Sequence, residues 1–171
     1  MYVFDATPLI YLATVERLSL VLEHVDDAVL PERVHEEVVV RGNEEGHADA
    51  RRIERVVDTG SLRVVSASGN DVFGRIARNQ QLTDADAAVL AIADTNNAVA
   101  VMDEQYGRDV ADAEGIRTRG TAFLVLRLLR EGILDAEATR TIVDEMVEAG
   151  WYCAPNLYAR ILGKIEELET T

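Results

Sequence analysis

The chain has 171 residues, of which 48% belong to the hydrophobic set, so it is long enough to bury one apolar core. We therefore expect a single domain spanning residues 1–171. Charged residues interrupt every apolar stretch before the roughly 18 residues that a membrane-spanning helix needs, and residues 1–5 lack the basic region of a signal peptide. These features predict a soluble, cytoplasmic protein that has no membrane contact.

Acidic residues greatly outnumber basic ones. There are 31 Asp and Glu against 17 Lys and Arg, which gives a formal net charge of −14, and Lys164 is the only lysine. Such a surface is typical of proteins that stay hydrated in a very salty cytoplasm, where the Debye length falls to about 3 Å at molar salt. The same screening removes long-range repulsion from nucleic acid, so the net charge does not exclude a nucleic-acid partner.

Short apolar runs alternate with segments whose apolar residues recur every three or four positions, the patterns of strands and helices. In chain order, the predicted elements are a strand at 1–4, a helix from 8, a strand at 28–30, helices at 31–38 and 49–57, a strand at 63–65, a helix at 87–93, a strand at 99–102, a helix at 107–113, a strand at 116–118 and a helix at 121–130. Thr83 and Asp86 have the spacing of a capping box. The alternation predicts a parallel sheet with helices on both faces, and we expect the helices from about residue 121 to pack on it.

Four acids are placed where a parallel sheet binds its ligands, beyond the carboxyl ends of the strands. Asp5 and Asp103 directly follow predicted strands, while Glu37 and Asp86 lie in first helical turns that could face the same edge. Clustered carboxylates repel one another unless a cation lies among them, and oxygen ligands suit a hard cation such as Mg²⁺. A cation held in this way can activate water and neutralise the charge that develops during displacement at a phosphate.

Other kinds of site are poorly supported by the sequence. It contains no GxxxxGK[ST], GxGxxG or GxSxG motif. The three histidines, His24, His35 and His47, are isolated and lack metal-ligand spacing. The four acids are therefore the main candidates for chemistry.

Two N-terminal segments resemble motifs of PIN-domain nucleases. Residues 3–12, VFDATPLIYL, resemble the first motif, in which an Asp ends the first strand and a Ser or Thr follows two residues later. These positions are Asp5 and Thr7. Residues 31–38, PERVHEEV, resemble the family's P-x-x-V-x-x-E element, which places its glutamate on Glu37.

Two later segments resemble the remaining motifs, in the same order along the chain. Residues 83–93, TDADAAVLAIA, resemble the third motif with Asp86 at its acidic position. Residues 101–104, VMDE, together with Gly107 and Arg108, resemble the fourth. The likeness therefore extends over most of the chain.

In the C-terminal part, residues 120–132 and 155–158 are similar to one branch of these proteins, which is related to VapC-type toxins. The resemblance implies a three-layer α/β/α PIN fold with a central parallel sheet. It also implies an Mg²⁺- or Mn²⁺-dependent endoribonuclease, acting as a homodimer that a small antitoxin protein inhibits. Its catalytic residues would be Asp5, Glu37, Asp86 and Asp103.

The resemblance leaves some roles open. The expected metal ligands are Asp5, Asp86 and either Asp103 or Glu104, because the fourth motif often reads T-x-D and this chain has no Thr there. Asp103 is preferred because it follows the strand immediately. Thr7 either caps the first helix or supports the metal site.

Arg108 also has two possible roles. It either clamps a substrate phosphate or pairs with Asp112, four residues further along the helix. No aromatic residue near the motifs stands out as a base-stacking platform, so the sequence does not indicate which RNA is cut.

Other classes of protein fit less well. A phosphoacceptor signalling domain needs an acid pair after its first strand and a Lys near the end of its fifth, but Asp5 has no acidic neighbour and Lys164 lies too late. A haloacid-dehalogenase-type phosphatase needs D-x-D, where this chain has Asp5-Ala6-Thr7. The remaining alternative is a non-catalytic PIN-like module that binds RNA or a partner protein.

Overall fold

A five-stranded parallel sheet forms the centre of the computed structural model, which describes residues 1–171. The strands are β1 (Tyr2–Phe4), β2 (Ala28–Pro31), β3 (Arg63–Val65), β4 (Val99–Val101) and β5 (Arg117–Arg119). Their spatial order is β3-β2-β1-β4-β5, so β1 is the central strand. Tyr2 pairs with Ala28 on one side and with Val99 on the other.

Helices flank the sheet and make up 61% of the chain. They are α1 (Ala6–Thr14), α2 (Leu18–Glu23), α3 (Glu32–His35), a π-helical segment (Glu36–Arg41), α4 (Gly42–Glu44), α5 (Ala48–Asp58), α6 (Asp71–Ile76), α7 (Asp84–Thr95), α8 (Gln105–Ala113), α9 (Thr121–Arg130), α10 (Ala136–Glu148) and α11 (Pro155–Glu169). The predicted α/β fold with a parallel central sheet is confirmed. No helix of the chain combines the length and the apolar character required to cross a membrane.

Several element boundaries differ from the predictions for local reasons. The first helix begins at Ala6 rather than at Pro8, which is tolerated at the third helical position because the N–H groups of a first turn have no partner within the helix. The last strand begins one residue later than predicted, since the Ile116 N–H donates to the Ala111 carbonyl and closes α8. The pattern does not predict α2, α4 or α6, and it gives no bounds for α10 and α11, which belong to the helices expected from about residue 121.

The helix α7 positions a candidate site residue beside the central strand of the sheet. It packs against β1, β2 and β4, and each of its residues from Ala87 to Ala93 is buried. Most of these side chains are small, so the helix axis can lie close to the strands. The first turn of α7, with Asp86, is thereby held near the end of the central strand.

One apolar core of 44 buried residues connects the whole chain. It includes Val3 in the central strand and Ile165 in the last helix. Residues from the N-terminal strand to the C-terminal helix therefore share a single hydrophobic interior.

Candidate active site

Asp5 is a buried acid at the carboxyl end of the central strand. The residue is only 7% exposed, and its backbone N–H donates to the Val101 carbonyl at 3.0 Å. The residue occupies the cap position of α1 but makes no capping side-chain hydrogen bond of normal geometry. The carboxylate thus lies in a low-dielectric position, where its ionised form is disfavoured.

The pKa of Asp5 is raised from its ordinary value of 3.8 to about 7. Burial is the main cause, and the negative charge of Asp86 is the next largest. The charges of Glu37 and Asp103 raise the pKa further, whereas the nearby Ala6 N–H lowers it. The structure therefore places all four acids within electrostatic reach, and we call Asp5, Glu37, Asp86 and Asp103 the acidic cluster.

Asp86 is oriented by the predicted capping box. The Thr83 hydroxyl accepts a hydrogen bond from the Asp86 N–H at 3.1 Å, and Asp86 Oδ2 accepts one from the Thr83 N–H at 3.0 Å. A carboxylate has several lone pairs, so this bond leaves Asp86 with further acceptor capacity. The same side chain can therefore cap α7 and act in the cluster.

Asp103 is held by three donors. The Thr121 backbone N–H donates to Oδ1 at 2.7 Å, and the Thr121 hydroxyl donates to Oδ2 at 2.6 Å. The Trp151 indole N–H also donates to Oδ2, at 3.1 Å. Thr121 is fully buried and Trp151 nearly so, which fixes the orientation of this carboxylate.

Gly120 makes this arrangement sterically possible. A Cβ at this position would lie 2.9 Å from Asp103 Oδ1 and 3.1 Å from Arg108 Nη1. Both distances are shorter than normal contacts, so a larger residue would force at least one side chain to move. Asp103 and Arg108 therefore flank the same small space beside the cluster.

Glu104 has a different role from its neighbour. Its Oε1 accepts a hydrogen bond from the Tyr106 N–H at 3.0 Å, and its Oε2 accepts one from the Gly107 N–H at 2.7 Å. Both oxygens are thus used to cap α8. Between the two acids of the fourth motif, this geometry favours Asp103 as the cluster member.

The two supporting residues proposed from sequence lie near the cluster. Thr7 is the second residue of α1, two positions after the cap residue Asp5, so it does not cap that helix. Arg108 forms no ion pair, so the predicted alternative of a pair with Asp112 is not observed. The Arg108 guanidinium is therefore available to a ligand.

Glu37 lies at the rim of the site. It is an exposed residue of the π-helical segment. It lines an open groove of about 680 Å³, and Thr83 at the start of α7 lines the same groove. π-Helical turns widen the helix and recur at functional sites. The sequence spacing predicts a helix here but gives no sign of the wider turn.

The cluster contains only carboxylate oxygens, which are the ligands that Mg²⁺ and Mn²⁺ prefer. No three His, Cys, Asp or Glu side chains lie close enough together in this structure to enclose a metal ion. Binding one would therefore require the carboxylates to move toward one another. The donor set nevertheless fits such a cation, because a buried Asp with three acidic neighbours lacks a compensating positive charge.

Comparisons with known proteins find one matching family and a solved structure of similar fold. Residues 1–167 match the model of a family described as "DUF3368: PIN domain". The crystal structure of PAE2754 from Pyrobaculum aerophilum is similar, with a TM-score of 0.55 and 22% identity, over 74% of this chain and 88% of that chain. At this identity, the likeness shows the fold alone. No curated protein matches the chain.

Proposed function

Because the chain belongs to the PIN-domain family, we propose that it is a metal-dependent endoribonuclease that hydrolyses RNA phosphodiester bonds with Mg²⁺ or Mn²⁺. The observation that supports this most is the placement of Asp5. It is a buried carboxylate, without a capping hydrogen bond, that has acidic neighbours. Burying such a group is costly, and binding a divalent cation offsets that cost.

In this proposal, Asp5, Asp86 and Asp103 hold the cation. When bound, the cation lowers the pKa of a water and neutralises charge that develops on the phosphate. Thr121 and Trp151 orient Asp103, while the Thr83 N–H orients Asp86. These hydrogen bonds limit the rotation of Asp86 and Asp103, so less side-chain freedom is lost when the cation is bound.

Two other side chains are assigned to the substrate. Arg108 can donate to a phosphate oxygen, since its guanidinium has no acidic partner and lies beside Asp103. Glu37 is exposed at the rim, and we assign it to orienting or deprotonating the attacking water. Thr7 is assigned to support of the metal site from the first turn of α1.

The test is cleavage of a mixed RNA pool at high salt with Mg²⁺ or Mn²⁺, comparing the wild type with Asp5→Asn and Asp86→Asn. Asparagine at position 86 keeps an oxygen that can accept the Thr83 N–H, so the capping box can survive. The matched control is Asp94→Asn, an exposed acid in the last turn of the same helix. We expect both cluster variants to lose at least about 100-fold in rate, the scale of one catalytic group, while the control cuts normally.

Absence of metal-dependent cutting by the wild type would contradict the proposal. So would cutting of the RNA pool by both cluster variants at the wild-type rate. A wild type that binds RNA but cuts none with either metal would instead support the non-catalytic PIN-like module.

We also propose partners, on the strength of the motif resemblance. These are a small antitoxin protein, which would make the chain the toxin of a toxin–antitoxin pair, and a second copy of the chain in a homodimer. A short reading frame directly upstream whose product blocks RNA cleavage would support the toxin role. Light scattering of the purified chain measures the oligomeric state.

A further inference from the structure

A second pocket lies beside the acidic cluster, at the carboxyl ends of β2 and β3. Pro31, the last residue of β2, pairs with Val65, the last residue of β3, and both the chain after Val65 and the start of α3 line the pocket. Neighbouring strands are about 4.8 Å apart, so the pocket lies roughly 5–10 Å along the sheet edge from the end of β1. We call it the Arg33 pocket.

The Arg33 pocket has the size and lining of a small-molecule site. Its volume is about 420 Å³, and its walls include Ser66, Ser68 and the ring of Phe73. Its only charged lining residues are Glu32 and Arg33, which have opposite signs. A nearly neutral pocket of this kind suits a flat heteroaromatic group better than a free phosphate, which needs net positive charge.

The guanidinium of Arg33 is held in place on two sides. It lies 5.1 Å from the centre of the Phe73 ring, and it pairs with Asp84 at 3.3 Å. Its side chain remains 51% exposed, and Arg33 is one of the residues that line the pocket. Unpaired RNA bases stack on aromatic rings and on arginine planes.

The pocket is also connected to the acidic cluster. Glu32 and Arg33 line both this pocket and the groove that Glu37 lines. Asp84, the partner of Arg33, lies in the same helical turn as Asp86. One strand of RNA could therefore occupy the cluster and the pocket at the same time.

We propose that the Arg33 pocket binds a base of single-stranded RNA that flanks the cleaved phosphate, with Arg33 and Phe73 as its stacking platform. This inference rests on the proposed ribonuclease function. Stacking tolerates all bases, while the Ser66 and Ser68 hydroxyls can contact the edge of the base. The pocket would thus set where the RNA strand lies, and contribute some base preference.

The test measures RNA binding without cleavage. A short single-stranded RNA with the fluorescent base 2-aminopurine at successive positions is titrated with wild type in EDTA at high salt. We expect quenching at one position, and roughly tenfold weaker binding by Arg33→Lys and by Phe73→Leu. Lysine keeps the charge of Arg33 but loses its plane, so it separates stacking from electrostatic attraction.

The matched control is Arg127→Lys. Arg127 also lies over an aromatic ring, 6.0 Å from the centre of the Tyr2 ring, but Tyr2 lies at the amino end of the central strand and the pocket lies at the carboxyl ends. We expect this variant to bind RNA as the wild type does. Thermal unfolding of each variant shows whether it is folded, and Arg33→Lys still tests the inference if Phe73→Leu does not fold.

Wild-type binding by the folded Arg33→Lys and Phe73→Leu variants would overturn the inference, as would the absence of RNA binding by the wild type. Equally tight binding of a free nucleoside monophosphate would also overturn it, because the pocket would then be a small-molecule site. Metal-dependent cleavage of the same RNA by the wild type is scored separately. The proposed function can therefore stand while this inference fails.

Discussion

Replacing Asp5 by Asn should stabilise the metal-free protein, and more strongly at high pH. In the folded protein Asp5 keeps its proton until about pH 7, whereas its ordinary pKa is 3.8. Between these values the folded state binds one more proton than the unfolded state, so wild-type stability falls as the pH rises. At about 1.4 kcal/mol per pH unit, Asp5 costs about 2 kcal/mol near pH 5 and about 4 kcal/mol near pH 8.5.

Asparagine has nearly the shape of the protonated acid and does not titrate. We therefore expect Asp5→Asn to gain about 2 kcal/mol over the wild type near pH 5 and about 4 kcal/mol near pH 8.5. The assay is urea unfolding of both proteins at the two pH values, in EDTA and at constant high salt. The control Asp94→Asn, on the exposed end of α7, should change stability by no more than a few tenths of a kcal/mol, equally at both values.

The result that would refute this reasoning is a stability difference between Asp5→Asn and wild type that does not change with pH. Destabilisation by Asp5→Asn near pH 8.5 would refute it as well. Repeating the titration with excess Mn²⁺ adds a second check. The cation should stabilise the wild type and have little effect on the variant, because ligands stabilise only the folded states that bind them.

Gly120→Ala should lower the RNA cleavage rate at least about tenfold and cost about 1–3 kcal/mol in urea unfolding, because its Cβ would come within 2.9 Å of Asp103 Oδ1. Gly163→Ala is the matched control: it lies in α11 with open space around its Cβ, and should gain about 0.5–1 kcal/mol. Thr121→Val keeps the shape but removes the 2.6 Å hydrogen bond to the carboxylate, so we expect a loss of about 1.5–3 kcal/mol in the same assay. Glu104→Gln should cleave RNA close to the wild-type rate, whereas Asp103→Asn should not; equal rates for these two variants would contradict the assignment.

The parts of the fold that sequence predicts well are those that depend on local pattern. The strand at residues 63–65 and the helix at 121–130 match the structure at both ends, and the Thr83–Asp86 capping box is present. Each is encoded within a few consecutive residues. The order of strands in the sheet requires contacts between distant segments, which one sequence does not reveal.

The surroundings of the site are less predictable because they come from distant residues. Thr121 and Trp151 donate to Asp103 from 18 and 48 positions away, and no spacing rule connects them. The sequence shows no stacking aromatic near the motifs, yet folding brings Phe73 within 5.1 Å of Arg33. Position 121 is a hydroxyl residue after a glycine, a weak signal that could have drawn attention to it.

The choice between Asp103 and Glu104 depends on where α8 begins, and the sequence places that start two residues too late. The sequence predicts a helix that begins at residue 107, which leaves Glu104 outside it with no structural role. The helix begins at Gln105, and Glu104 becomes its cap, accepting two backbone N–H groups. The capping hydrogen bonds give Glu104 a structural role, so the geometry favours Asp103 as the fourth member of the cluster.

The three aspartates of the acidic cluster differ in what the protein itself supplies to them. Asp103 accepts three hydrogen bonds and Asp86 accepts one from a backbone N–H, so both have partners within the fold. Asp5 has acidic neighbours and no capping hydrogen bond, and its ionised form destabilises the fold. A residue whose replacement should stabilise the metal-free protein is difficult to explain by packing, and stability lost in this way is commonly the cost of function. Asp5 is therefore the residue through which the proposed metal-dependent function can be tested most directly, since replacing it should raise stability but lower RNA cleavage.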